Sequence, residues 1–321
     1  MKQLVTASDS KRVLIIGNGF DLDLGWNTRF ADFINSEFWP TNHHNGSILS
    51  YLKSRSYISN WIDLEAELGI FSSSNITNRN PPRIVDINRK YFSELVSGFK
   101  QFLCKVVETE IKKDSVASIV LSEILSNQHF SSIYSFNYTD LHSIALKLGL
   151  SDGFEYDHVH GSLRDDNIII GAPEDAKLNS GYEFLYKTFS PYYQSSNLIY
   201  DLREAKEVVF FGHSLGPTDY HYFEAFFKAQ CEDGLEKKNA KKITIFTYDD
   251  ASRISILKQL RRMNNNKTNL LYHQNDFRII TTSKGKGSSV LCEFIDHLRR
   301  TSKQEYEKAI EMTFRNIEEI L

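Results

Sequence analysis

The sequence predicts an α/β fold on a Rossmann-like parallel sheet, and three observations carry that prediction. Short β-branched or aromatic runs occur at residues 13–16, 132–136, 208–211 and 243–248. Runs of this kind, interrupted only by the serines of the second, read as strands buried on both faces. Each leads into polar or glycine-containing residues and then a helical pattern, the βαβ rhythm that sets neighbouring strands parallel. In such sheets ligands bind beyond the carboxyl ends of the strands, so chemistry is expected in the loops that follow them.

Composition allows this fold and narrows its function. The chain has 321 residues, 41% hydrophobic and 25% charged, with 6 prolines, as in an ordinary packed protein. A net charge of −3 gives no broad basic face for nucleic acid, and the run Lys237-Lys238-Asn239-Ala240-Lys241-Lys242 reads as a solvated loop before a strand. Cys104, Cys231 and Cys292 are far apart and form no CxxC pair, so no zinc ribbon is expected. There is no apolar leader, and no window reaches the roughly 18 apolar residues of a membrane span. A cytoplasmic protein without a membrane partner is expected.

The first strand, 13–16, opens onto Gly17-Asn18-Gly19-Phe20-Asp21. Two glycines here permit a tight turn and close approach to a phosphate, though a purely structural turn explains them as well. A dinucleotide fingerprint would place a third glycine where Leu22 stands. Asp21 and Asp23 add negative charge, either as caps or pointing into a site.

More than a hundred residues separate this strand from the next, too many for one crossover. They include Trp61-Ile62-Asp63-Leu64-Glu65, a polar break at 72–82, and an amphipathic run over 84–113. In that run Ile87, Tyr91, Leu95, Phe99, Phe102, Val106 and Ile111 recur near the helical period. The spacing predicts one α/β domain over 1–321 carrying a helical insertion at about 40–126. A C-terminal helical tail follows at about 290–321, ending in Ile310, Phe314, Ile317 and Leu321.

The second strand ends in Asn137-Tyr138-Thr139-Asp140-Leu141-His142. The amide of Asn137 suits either a ribose hydroxyl or a turn before the next helix. Next comes Tyr156-Asp157-His158-Val159-His160-Gly161-Ser162. Two histidines on one face of an extended segment suggest a metal, but no third ligand can be nominated. One serving as general base beside a structural partner suits the ordinary imidazole pKa, and so do two structural histidines. The third strand leads to Gly212-His213-Ser214-Leu215-Gly216-Pro217-Thr218-Asp219. The fourth closes on Asp249 and Asp250, which can accept from ribose hydroxyls or simply lie on solvated surface.

Taken in order, these loops resemble a known set. Asn137-Tyr138-Thr139-Asp140, followed 23 residues after Asn137 by His160-Gly161-Ser162, resembles the Gln-Asn-x-Asp and His-Gly-Ser of sirtuins. GNGFDLDLGW at 17–26, WIDLE at 61–65, HVHGS at 158–162 and FFGHSLG at 210–216 together are similar to AbiH, the phage abortive-infection family with a sirtuin-like core. The similarity runs from about Arg12 to the end of the sheet.

This resemblance implies NAD as ligand or substrate, with Asn137 and His160 as catalytic residues at the nicotinamide ribose. NAD contacts are implied for Gly17, Asn18, Gly19, Phe20, Asp21, Thr139, Asp140, Gly161, Gly212, His213, Ser214, Asp219 and Asp249. It also implies hydrolysis to nicotinamide and ADP-ribose. The sequence departs from the sirtuin pattern in three places. The four-cysteine zinc module is missing, which argues against protein deacylation; the first loop carries Asn18, Phe20 and Asp21; and the motif's aspartate falls on Thr139, with Asp140 one place later.

Three readings follow. The first is a phage-defence effector that hydrolyses NAD, held off by oligomerisation or by a phage-derived trigger, with the 84–113 and C-terminal helices as candidate contacts. The second is a module that senses NAD or a related nucleotide without turnover and acts through a partner. The third is a nuclease holding a metal through Asp21 and Asp23.

Overall fold

The structure, a computed structural model, describes residues 11–56, 63–74, 76–78, 80–127 and 129–318. Among these, six parallel strands form one sheet in the order β3-β2-β1-β4-β5-β6. They are β1 (Arg12–Ile16), β2 (Ser132–Ser135), β3 (Asp157–His158), β4 (Glu207–Phe211), β5 (Lys242–Thr247) and β6 (Asp276–Thr281). This is the Rossmann strand order, whose topological switch point lies between β1 and β4.

The four strands expected from sequence are present within a residue or two of their predicted bounds. Two more strands complete the edges. β3 is two residues long, too short to show a pattern. β6 has Asp276 and Arg278 exposed between its apolar residues, so it lacks the continuous apolar run of a central strand.

Successive residues of the strands alternate between the two faces. Val13, Ile15, Phe210 and Ile245 pack against α8 (Leu198–Glu204), α9 (Tyr220–Ala229) and α10 (Asp250–Met263) through Leu202, Phe223, Phe227 and Leu260. Leu14, Ile16, Phe211 and Phe246 pack on the other face. There they meet Val120 of α6 (Val116–Ser126), Ile144 of α7 (Leu141–Lys147) and Phe294 of α12 (Ser289–Glu318).

Between β1 and β2 run α1 (Asn18–Asp23), α2 (Phe30–Ile34), α3 (Ile48–Ser56), α4 (Leu64–Ser72), α5 (Pro82–Val107) and α6. α6 lies on the sheet. α2 to α5 build a third apolar cluster around Phe33, Leu68, Leu95 and Phe99, joined by Ile168, Ile170 and Leu185 from the β3–β4 connection. α5 starts at Pro82, a residue suited to a first helical turn, and ends at Val107, short of the predicted 113. The chain then turns so that Ile111 inserts beneath α1 and Lys112 N–H donates to the Leu24 carbonyl (2.8 Å).

Trp61 and Ile62 of the WIDLE stretch lie outside the described residues, as does Leu321. The helical tail runs to Glu318, with Ile310 exposed. Among the described residues no helix is long and apolar enough to cross a membrane.

Candidate functional site

Three glycines close the switch point. Gly17 N–H donates to the Phe211 carbonyl (2.9 Å) and Gly19 N–H to the Gly212 carbonyl (2.8 Å). A Cβ on Gly19 would stand 2.7 Å from the Gly212 Cα, and one on Gly212, at φ +67°, would stand 2.3 Å from the Phe20 nitrogen. These residues are glycine because two backbones touch here. The other residues of the first loop are also engaged. Asn18 accepts from the Thr28 hydroxyl (2.6 Å), and Phe20 is buried edge-on against Phe211.

Asp21 points inward and Asp23 does not. Asp21 accepts from the Asn137 amide (2.9 Å) and the Thr139 hydroxyl (2.9 Å), and burial pushes its carboxyl up to about 7 against both hydrogen bonds. Asn137 also donates to the Gly17 carbonyl (3.1 Å), tying the loops after β1 and β2 together. Asp23 accepts from the Ala117 N–H in the first turn of α6 (2.7 Å). The two carboxylates therefore do not converge on a shared metal position.

Several other predicted residues act as caps or turn-formers. Asp140 caps α7 through the His142 and Ser143 N–H groups and accepts from the Tyr156 hydroxyl (2.6 Å). Asp249 caps α10 (2.8 Å to Ser252 N). Ser214 accepts from Gly216 N–H (3.3 Å). His158 Nδ1 lies 2.9 Å from the Asn137 carbonyl, which holds that loop against β3.

His160, Gly161, His213 and Asp219 come together in a second cluster. Gly161, at φ +74°, lets the chain reverse so closely that a Cβ would fall 2.0 Å from the Asn167 carbonyl oxygen. Ser162 N–H to Asn167 Oδ1 (2.7 Å) and Ile169 N–H to the His160 carbonyl (2.8 Å) lock that turn and aim the His160 ring. Asp219 Oδ1 sits 3.3 Å from His160 Nε2, and its Oδ2 sits 3.4 Å from His213 Nε2. His213 Nδ1 accepts from Leu215 N–H (3.0 Å), so its proton is on Nε2, facing Asp219.

Two residues complete this cluster that sequence reasoning did not assign to a site. Lys187 brings its ammonium to 2.7 Å from Glu65 Oε2, 3.3 Å from His160 Nε2 and 3.8 Å from Asp219 Oδ1, with only 5% of its side chain exposed. Glu65 lies in the first turn of α4, whose N-cap is Asp63 (3.1 Å to Ala66 N). It belongs to the WIDLE stretch, so its motif was visible without its destination. Lys187 sits in a segment with no motif, and nothing in the sequence pointed to it.

The electrostatics follow from burial around one cation. Burial pushes Glu65 up to about 7 even beside Lys187, with Asp219 adding repulsion. Burial acts the same way on Asp219, but Lys187, His160 and His213 outweigh it and hold that carboxyl well below the usual range. Burial and then Lys187 lower His160 to about 4, so the ring is neutral at physiological pH. Lys187 is held above its ordinary value by Glu65 and Asp219 despite burial. Two carboxylates with opposed proton affinities beside a neutral imidazole form an acid–base arrangement.

A family model described as bacteriophage abortive infection AbiH matches residues 13–236, from β1 to beyond α9. The chain belongs to that family. The AbiH match spans both clusters described above and the helices that deliver Glu65. Comparison with curated proteins gave no match.

Elsewhere in this AbiH protein, at the opposite end of the sheet, His129, Glu207 and His297 bring ligand atoms within 4.8 Å of one another. Glu207 is also met there by Arg12 (3.7 Å) and Lys242 (3.3 Å), so a divalent ion would enter a position already held by two cations. This cluster is a structural clasp.

Proposed function

We propose that this AbiH protein is an abortive-infection effector whose strand-end centre hydrolyses NAD to nicotinamide and ADP-ribose. The observation that carries this reading is the buried grouping of Asp219, Glu65 and neutral His160 at the carboxyl ends of the strands. Cleavage of the nicotinamide–ribose bond builds positive charge on the ribosyl carbon, and nicotinamide departs as a neutral group that needs no acid. A carboxylate kept ionised, such as Asp219, stabilises that charge. The neutral His160 ring takes a proton from the attacking water, and Asp219 stabilises the imidazolium formed. Asn137 acts from the neighbouring loop, where its amide already fixes the first loop against the second. The glycines of that first loop supply the close backbone approach between β1 and β4, while the Gly17 and Gly19 N–H groups are spent on the Phe211 and Gly212 carbonyls.

NAD loss is lethal to a host, so the active form is proposed to require self-association, through α5 or α12, or a phage product. The test is nicotinamide release from NAD by the purified chain, with and without extract of phage-infected cells. His160→Ala and Asp219→Asn are expected to lower release at least 100-fold. No release by wild type under either condition sinks the hydrolase reading. The second reading, NAD sensing without turnover, is favoured by how completely the His160, Lys187 and Asp219 side chains are covered. Calorimetric binding of NAD without release would establish it.

A further inference from the structure

We infer that a cavity where the α2–α3 connection meets α3 is a binding site for a small oxyanion, a phosphate or carboxylate group. The inference is independent of the NAD reading, since none of the lining residues belongs to either strand-end cluster. The cavity measures about 260 Å³, just below the roughly 300–1,000 Å³ that suits drug-sized ligands, so its occupant is small. It opens past Asn35 and Thr41, which are exposed. Two observations point to a ligand. The first is a pair of polar atoms without partners. Trp39 is only 5% exposed, and its indole N–H has no hydrogen-bond partner among the described residues; Nδ1 of His43 is buried and unpartnered in the same way. Both residues line the cavity. Buried polar groups are nearly always hydrogen-bonded, because an unmet one keeps its full desolvation cost. The indole of Trp26 shows the ordinary outcome, donating to the Thr109 carbonyl (3.3 Å).

The second observation is that the lining offers donors and positive charge. An indole N–H can only donate, and the His43 nitrogen and the Thr41 hydroxyl can donate as well. The Lys53 ammonium reaches the cavity from α3 and donates to the Ile34 carbonyl at the end of α2 (2.6 Å). None of the described lining residues is acidic. A cation would therefore meet a like charge, whereas an oxyanion would meet Lys53 and accept from the two unmet ring nitrogens. The frame is already fixed. The Ser36 hydroxyl donates to the Phe33 carbonyl (2.7 Å) and accepts from Phe38 N–H (3.2 Å), and the Asn35 amide donates to the Ala31 carbonyl (2.9 Å). Phe33 meets the Trp39 ring edge-on at 5.3 Å. Both unmet nitrogens are closed to water, so seating the oxyanion requires the two rings to tilt toward the cavity while the backbone stays in place.

The test follows the indole N–H signals of the full chain by NMR while inorganic phosphate or acetate is added at constant ionic strength. The Trp39 signal, assigned by its loss in Trp39→Phe, is expected to move saturably. Saturation with phosphate identifies a phosphoryl ligand, with acetate a carboxylate, and with both a general oxyanion site. The Trp26 signal should stay in place, because its N–H is already donated. Lys53→Met is expected to weaken binding at least about 10-fold, as the loss of a charge-assisted hydrogen bond does. Should that variant fail to fold, His43→Ala takes its place with the same expected loss. A Trp39 signal that neither probe moves, or that drifts without saturation as it does in sodium chloride, overturns the inference and leaves the cavity to water. Unchanged affinity in the folded variant overturns it too.

Discussion

Asp21 shows how one buried residue sets a pH response. Its carboxyl titrates near 7 in the fold and near 3.8 when exposed, because burial outweighs the hydrogen bonds from Thr139 and Asn137. Between those values the folded chain holds a proton that the unfolded chain has released. The stability this group contributes is therefore fully present below pH 4 and lost as pH rises through 7, on the order of a few kcal/mol in total. Asp21→Asn should leave stability near pH 4.5 almost unchanged and gain progressively on wild type up to pH 8 in urea unfolding. An unchanged difference between the two pH values would contradict the burial account. Gly212 is a second case. Alanine there combines φ +67° with backbone atoms at 2.3 Å and 2.4 Å, so Gly212→Ala should cost at least about 3 kcal/mol in the same measurement. The sequence exposed both residues by type and place, but the role of each came from its neighbours.

At the scale of elements, Glu207 fastens the amino ends of the strands. It heads β4 and meets Arg12 of β1, Lys242 of β5, His129 ahead of β2 and His297 of α12. Burial alone would raise its pKa, yet the two histidines and Lys242 hold it well below the usual carboxylate range. The stability it contributes is present at neutral pH and is lost only under acid conditions, below its ordinary pKa. Glu207→Gln should destabilise the protein by about 3–5 kcal/mol at pH 7 and raise amide exchange in α12 ahead of the central strands. Global destabilisation with unchanged α12 exchange would place its role in the sheet alone. None of this was legible in the sequence, since Glu207 and His297 are 90 residues apart and carry no motif. The central strands were legible, because continuous apolar runs bounded by turns admit few other conformations, whereas the edge strands β3 and β6 leave weaker patterns.

For the whole molecule, the sheet separates a clasp at the amino ends of the strands from a reactive cluster at their carboxyl ends. Topology then predicts where a ligand acts. With NAD present, amide exchange should slow over residues 137–142, 158–162 and 212–219. It should change little at Gly17 and Gly19, whose N–H groups already bond to the Phe211 and Gly212 carbonyls. Slowing confined to Gly17–Phe20 would return the binding site to the first loop. The candidate site itself was half legible. Asn137 and Asp219 follow strands expected from the sequence, where position nominates them, and His160 was marked by its His-Gly-Ser stretch. Glu65 and Lys187 come from α4 and from an irregular connection, and only packing brings these to His160.

The sequence by itself determined the parallel α/β sheet, its central strands and the loops that bear chemistry, because strand burial and turn formation are read over a few neighbouring residues. It also carried enough ordered motifs to mark the family. Tertiary structure alone decided which way Asp21 and Asp23 face, that the three glycines seal one backbone against another, and that Glu65 and Lys187 join Asp219 and His160. Those outcomes depend on burial and charge summed over residues that are distant along the chain, and local sequence holds no record of such sums.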